Sequence, residues 1–145
     1  MLRIVADTNI YISGTFWPGI PRLFLSLARH EVFELVCSKQ ILRELDQTLK
    51  GRKFQLSDHD IGSLLSDVMS YTVPLEAPAL SVPKLRDRKN AHLCSLAMHN
   101  KASYLVTGDN DLLVLDKVGS VKILTARAIL EKEFSELLDA FEGQI

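Results

Sequence analysis

Five carboxylates, Asp7, Glu44, Asp87, Asp109 and Asp111, stand at positions where a hard divalent cation could use them, with the amide of Asn90 among them. Oxygen donors without thiol or imidazole partners suit magnesium or manganese, which accept carboxylates, and magnesium keeps several waters and bridges to phosphate. Like charges held together repel and raise one another's pKa values, so such a cluster implies a neutralising ion. One or two ions serve phosphodiester cleavage by activating a water and stabilising the leaving oxyanion. Each acid also has an ordinary reading by itself. Asp7-Thr8-Asn9 is equally a strand-end turn, Glu44 a solvent-facing helix residue, and Asp109-Asn110-Asp111 a loop.

The elements that must position these acids alternate short β-branched runs with longer helical patterns. That alternation predicts an α/β fold, a parallel sheet covered by helices. Ile4-Val5-Ala6, Phe33 to Cys37, Tyr104 to Thr107 and Val121 to Leu124 read as strands. Pro21 suits the first turn of a helix carrying Leu23, Phe24 and Leu27. Ser38 caps a second helix through Ile41, Leu42, Leu45 and Leu49, which Gly51 ends. Ser57 and Asp60 form an S-x-x-D start signal for a helix reaching about Ser70, and Pro74, Pro78 and Pro83 mark an irregular crossing. Asn90 caps a helix with Leu93, Cys94 and Leu96, and Thr125 caps a terminal helix running through Ile129, Phe134 and Phe141. Phe16 and Trp17, beside Pro18-Gly19, read as a loop whose rings either stack on a base or pack an ordered turn.

Ligands of an open parallel sheet bind outside the carboxyl ends of its strands. Asp7 ends the first strand, and Asp109 with Asp111 follows the strand ending at Thr107. Glu44 lies in the helix after strand two, and Asp87 with Asn90 precedes the helix leading to residues 104–107. Four distant segments therefore meet at one rim.

These residues resemble the PIN-domain family. Ile4-Val5-Ala6-Asp7-Thr8-Asn9 is similar to its opening strand and D-T-N, Ser38 to Leu45 to its S-x(5)-E-L helix, and Tyr104 to Leu113 to its V-T-G-D-x-D-L-L segment. The resemblance covers residues 1 to about 126. It implies a three-layer α/β/α fold with a mostly parallel five-stranded sheet. It also implies a magnesium- or manganese-dependent endoribonuclease for single-stranded RNA, of the kind that forms the toxin half of a toxin-antitoxin pair, restrained by a small antitoxin protein. By resemblance Asp7, Glu44 and Asp109 are metal-binding catalytic acids, Asp111 an auxiliary acid, and Thr8, Asn9 and Thr107 supporting hydrogen-bonding groups. One departure stands out. Similar members read D-P-x-D-N where this chain has Asp87-Arg88-Lys89-Asn90-Ala91, so a neutral amide occupies the place of an acid. An amide oxygen ligates magnesium without charge, which weakens the ion, and Asp87 sits about one turn too early to replace it without a shifted loop.

The 145 residues suit one domain, 1–145, able to bury roughly 70% of its unfolded surface. With 47% hydrophobic and 24% charged residues the composition is that of a globular chain, not a disordered one. The first seven residues lack a signal-peptide core, so a cytoplasmic protein with no membrane association is expected. Cys37 and Cys94 have no C-x-x-C spacing and read as buried free thiols. A net charge of −1 gives no global pull toward nucleic acid, so RNA contacts must be local. Lys50, Arg52 and Lys53 form one basic cluster, and Arg86, Arg88 and Lys89 another that flanks the acidic rim. The four histidines are scattered, and only His92 lies near enough to the rim to touch a substrate. A homodimer is also expected. Two rivals remain open: a noncatalytic module binding RNA or a protein, and a phosphoacceptor or phosphatase, for which no phosphorylatable aspartate can be placed.

Overall fold

The computed structural model describes residues 1–143, so the last two residues of the expected 1–145 span lie outside the described residues. Strand β1 (Arg3–Ala6) is fully apolar after its first residue and occupies the middle of the sheet, flanked by β2 (Glu34–Cys37) and β4 (Tyr104–Val106). The order is β3-β2-β1-β4-β6-β5, with β3 (Val73–Pro74) and β6 (Val121–Leu124) extending the parallel array. Near-continuous burial of Ile4, Val5, Leu35, Val36, Leu105 and Val106 is what a parallel sheet covered by helices demands.

Six strands are present where five were expected. The five parallel strands are there. The addition is β5 (Lys117–Val118), which turns through Gly119 at φ 58° and pairs antiparallel with β6. Two residues are too few to show alternation in sequence. The proline-marked crossing likewise contains β3, and Pro74 is tolerated because β3 is an edge.

A second correction concerns the residues between β1 and Trp17, where Phe16 was expected in a loop. They form helix α1 (Thr8–Phe16), with Ile10, Tyr11 and Ile12 all buried, so it has no apolar stripe for periodicity to detect. Helix α2 (Ile20–Arg29) packs across it at Gly14, where a Cβ would lie 2.5 Å from Leu25 Cδ1 and 2.8 Å from the Pro21 carbonyl oxygen. Backbone cannot yield as a flexible side chain can. Gly14→Ala is therefore expected to destabilise the fold by about 1–3 kcal/mol, read as a lower urea midpoint at unchanged slope. An unchanged midpoint would mean that the two helices separate without strain.

Helix α3 (Lys39–Leu49) begins where predicted, Ser38 Oγ accepting from the Ile41 N–H at 3.2 Å. Helix α4 (Asp58–Tyr71) has the full capping box between Ser57 and Asp60. Helix α5 (Ala91–His99) packs on β1 and β4. A short α6 (Asn110–Leu113) follows β4. The terminal helix is broken at Phe134 into α7 (Ala126–Glu133) and α8 (Ser135–Glu142). Both cysteines are free and buried, and burial pushes each thiol up to about 11. Among the described residues no helix is long and apolar enough to cross a membrane.

Candidate active site

The strand order reverses at β1: the chain builds outward through β2 and β3, then returns to place β4 on the other side. A crevice opens at such a switch point. Here it is a cleft of about 1010 Å³, lined by Asp7, Thr8, Asn9, Glu44, Asp87, Arg88, Lys89, Asn90, His92 and Asp109.

Asp7 is only 6% exposed and caps α1, its Oδ1 accepting from the Asn9 N–H at 3.1 Å. Its other oxygen, Oδ2, accepts from Thr107 Oγ1 at 2.8 Å. Thr107, fully buried at the end of β4, also accepts at Oγ1 from the Asp109 N–H at 3.0 Å. One hydroxyl thus ties the ends of β1 and β4 together. Asp109 caps α6, with Oδ1 accepting from the Asp111 N–H at 2.8 Å. Both acids sit at helix starts, where free N–H groups and the helix dipole favour negative charge.

Asn90 donates through Nδ2 to Asp109 Oδ2 at 2.9 Å. A carboxylate accepts only, so the amide must turn its NH2 toward it. Asp87 caps the 3-10 turn Arg88–Asn90, Oδ1 accepting from the Lys89 N–H at 3.0 Å. Glu44 belongs to a second cluster on the same cleft. Its Oε2 accepts from Thr8 Oγ1 at 2.9 Å, and Oε1 lies 2.7 Å from His92 Nε2. That approach is close, yet the ring N–H is not aimed for an aligned hydrogen bond, and Nδ1 has no partner.

Asp7, Thr8, Asn9, Glu44, Asp87, Arg88, Lys89, Asn90 and Asp109, singled out in the sequence, all line this cleft. Asp111 lies outside its lining and contributes a backbone N–H to Asp109. Arg86, Lys50, Arg52 and Lys53 are also outside, although Arg88 and Lys89 line it. His92, the one histidine placed near the rim, lines the cleft and lies against Glu44. Gln40, Glu76 and Ser95 were missed; each is an ordinary polar residue in sequence, and only the closing of α3, the 75–80 crossing and α5 around the cleft singles it out.

The donor chemistry fits a hard divalent cation: carboxylate, amide and hydroxyl oxygens without thiolate, on a cleft with room for the waters magnesium retains. Asp7 and Asp109, joined through Thr107, are the acids best placed to hold it. A complete cage is not preassembled, since among the described residues no three His, Cys, Asp or Glu side chains are gathered closely enough for one ion. Magnesium is commonly held by one or two carboxylates with waters completing the shell.

Comparison with known proteins agrees with this architecture. No curated protein matches the chain significantly. Among solved structures, VapBC2 from Rickettsia felis bound to a DNA fragment from their promoter is similar, with a TM-score of 0.60 at 16% identity, covering 84% of this chain and 97% of that one. At that identity the likeness establishes the fold. The family model for the PIN domain matches residues 3–111, from β1 to the acids that follow β4, and the chain belongs to the PIN-domain family.

Proposed function

We propose that the chain is a divalent-metal-dependent endoribonuclease acting on single-stranded RNA, and the toxin of a toxin-antitoxin pair. The observation that carries this reading is the meeting of Asp7, Glu44, Asn90 and Asp109 in one cleft flanked by Arg88 and Lys89. Membership of a family whose members are in general nucleases supports it. The fold shared with VapBC2 is in keeping with this reading, which includes a small antitoxin partner covering the acidic groove.

In this reading Asp7 and Asp109 hold the ion, Thr107 fixes their relative position, and Thr8 steadies Glu44 against His92. The bound ion supplies positive charge against the oxyanion that develops on the phosphodiester. Arg88 and Lys89, exposed beside the cleft, bind flanking phosphates. Asn90 presents a neutral donor to Asp109, which leaves the site one charge short and the ion weakly held.

A second reading, a PIN module that binds RNA or a protein with little or no cleavage, is favoured by that same Asn90–Asp109 bond. Mixed single-stranded RNA incubated with the chain separates the two. The nuclease reading expects internal cleavage in manganese and none with a chelator. Saturable binding without cleavage in manganese would replace it with the second reading, and absence of both would overturn each.

A further inference from the structure

The basic run at Lys50, Arg52 and Lys53 lies outside the cleft, yet the fold sets it against the two aromatic residues that end α1. Phe16 stacks on Phe54 with ring centroids 4.7 Å apart, and Trp17 tilts against Phe16 at 6.0 Å. This bracing leaves Trp17 45% exposed. Lys53 Nζ lies 5.3 Å from the centre of its ring and 5.6 Å from that of Phe54. Lys50 is neutralised by Asp46 at 2.9 Å, whereas Arg52 and Lys53 have no ion pair among the described residues.

We propose that Trp17, Arg52 and Lys53 form a docking surface for single-stranded RNA outside the cleft, Trp17 stacking on a base while the two cations meet neighbouring phosphates. This rests on the ribonuclease reading and names where a substrate strand goes after leaving the acids. Every base has a π-face, so an exposed indole beside cations binds single strands with little sequence preference. Position supports the same occupant. α1 is capped by Asp7 in the cleft and ends at Phe16, about 13 Å away by helical rise. Gln47 and Thr48 of α3 line the cleft, and the Gly51 N–H bonds to the Thr48 carbonyl, so the basic loop continues the cleft wall. An apolar protein surface seated here would bury Arg52 and Lys53 without counter-charges, whereas a phosphodiester strand supplies both the charge and the ring.

Trp17 is the one tryptophan of the chain, so intrinsic fluorescence reads this surface directly. The intact chain, with chelator present to prevent cleavage, is titrated with an oligouridylate of about ten nucleotides. Saturable, salt-sensitive quenching is expected, with affinity falling roughly tenfold in the Arg52→Ala/Lys53→Ala double variant. Binding seen by anisotropy of a labelled oligonucleotide without quenching would overturn the proposal, as would quenching that the double variant leaves unaltered. A change in emission that follows protein concentration without RNA would identify a contact between copies and overturn it too. Cleavage in manganese separates the two levels: quenching without cleavage sinks the nuclease reading alone, and cleavage without quenching sinks the docking surface alone.

Discussion

Asp7→Asn is expected to slow cleavage by at least about a hundredfold, the scale on which loss of metal-site groups is felt. The effect is not confined to charge. Asp7 accepts from the Asn9 N–H with one oxygen and from Thr107 Oγ1 with the other, and an amide offers only one acceptor atom. If the variant's amide turns its NH2 toward Thr107 Oγ1, which keeps accepting from the Asp109 N–H, the Thr107 hydroxyl hydrogen loses its acceptor. One bond in a buried network is lost, with a stability loss of about 1–2 kcal/mol. Circular dichroism melts beside the rate assay distinguish loss of chemistry from loss of fold. Wild-type cleavage by this variant would remove Asp7 from the mechanism.

Asn90→Asp is expected to make folding stability depend on metal. Without an ion, the change sets a second carboxylate where an amide now donates to Asp109 at 2.9 Å, replacing a hydrogen bond with repulsion. In chelator the variant should melt several degrees below the native chain, matching a loss of about 1–3 kcal/mol. In manganese the order should reverse. An ion present at about a hundred times its dissociation constant stabilises the folded state by about 2.7 kcal/mol, and the added charge tightens binding. The measurement is four thermal melts, each protein with manganese and with chelator. Equal responses of the two proteins to manganese would place Asn90 outside the ion's surroundings.

The two substitutions also show what sequence could and could not convey. Asp7 and Asp109 were legible because one directly follows an apolar strand and the other comes three residues after the end of another, and a parallel sheet sends such positions to one rim. Asn90 was legible as a departure from a pattern, but its engagement with Asp109 depends on a bond across 19 residues that no local rule supplies. The contact of His92 with Glu44 is hidden for the same reason: it joins α3 and α5, which lie 48 residues apart in sequence at these two positions. Helix α1 escaped because its apolar residues Ile10, Tyr11 and Ile12 are consecutive and trace no stripe at helical period, and β3 and β5 because two residues carry no period. Phe134 broke the terminal helix despite a continuing apolar pattern, its φ of −139° taking it out of the helical region. Periodicity records which face is buried; it does not record where backbone direction changes.

The brevity of β3 and β5 has a further effect. They are the outermost strands, and one ends in Pro74, which lacks an N–H, while the other opens with the exposed Lys117. Short borders carrying proline and lysine offer a poor template for adding a foreign strand. The borders of the sheet are thereby guarded against fibril-like growth.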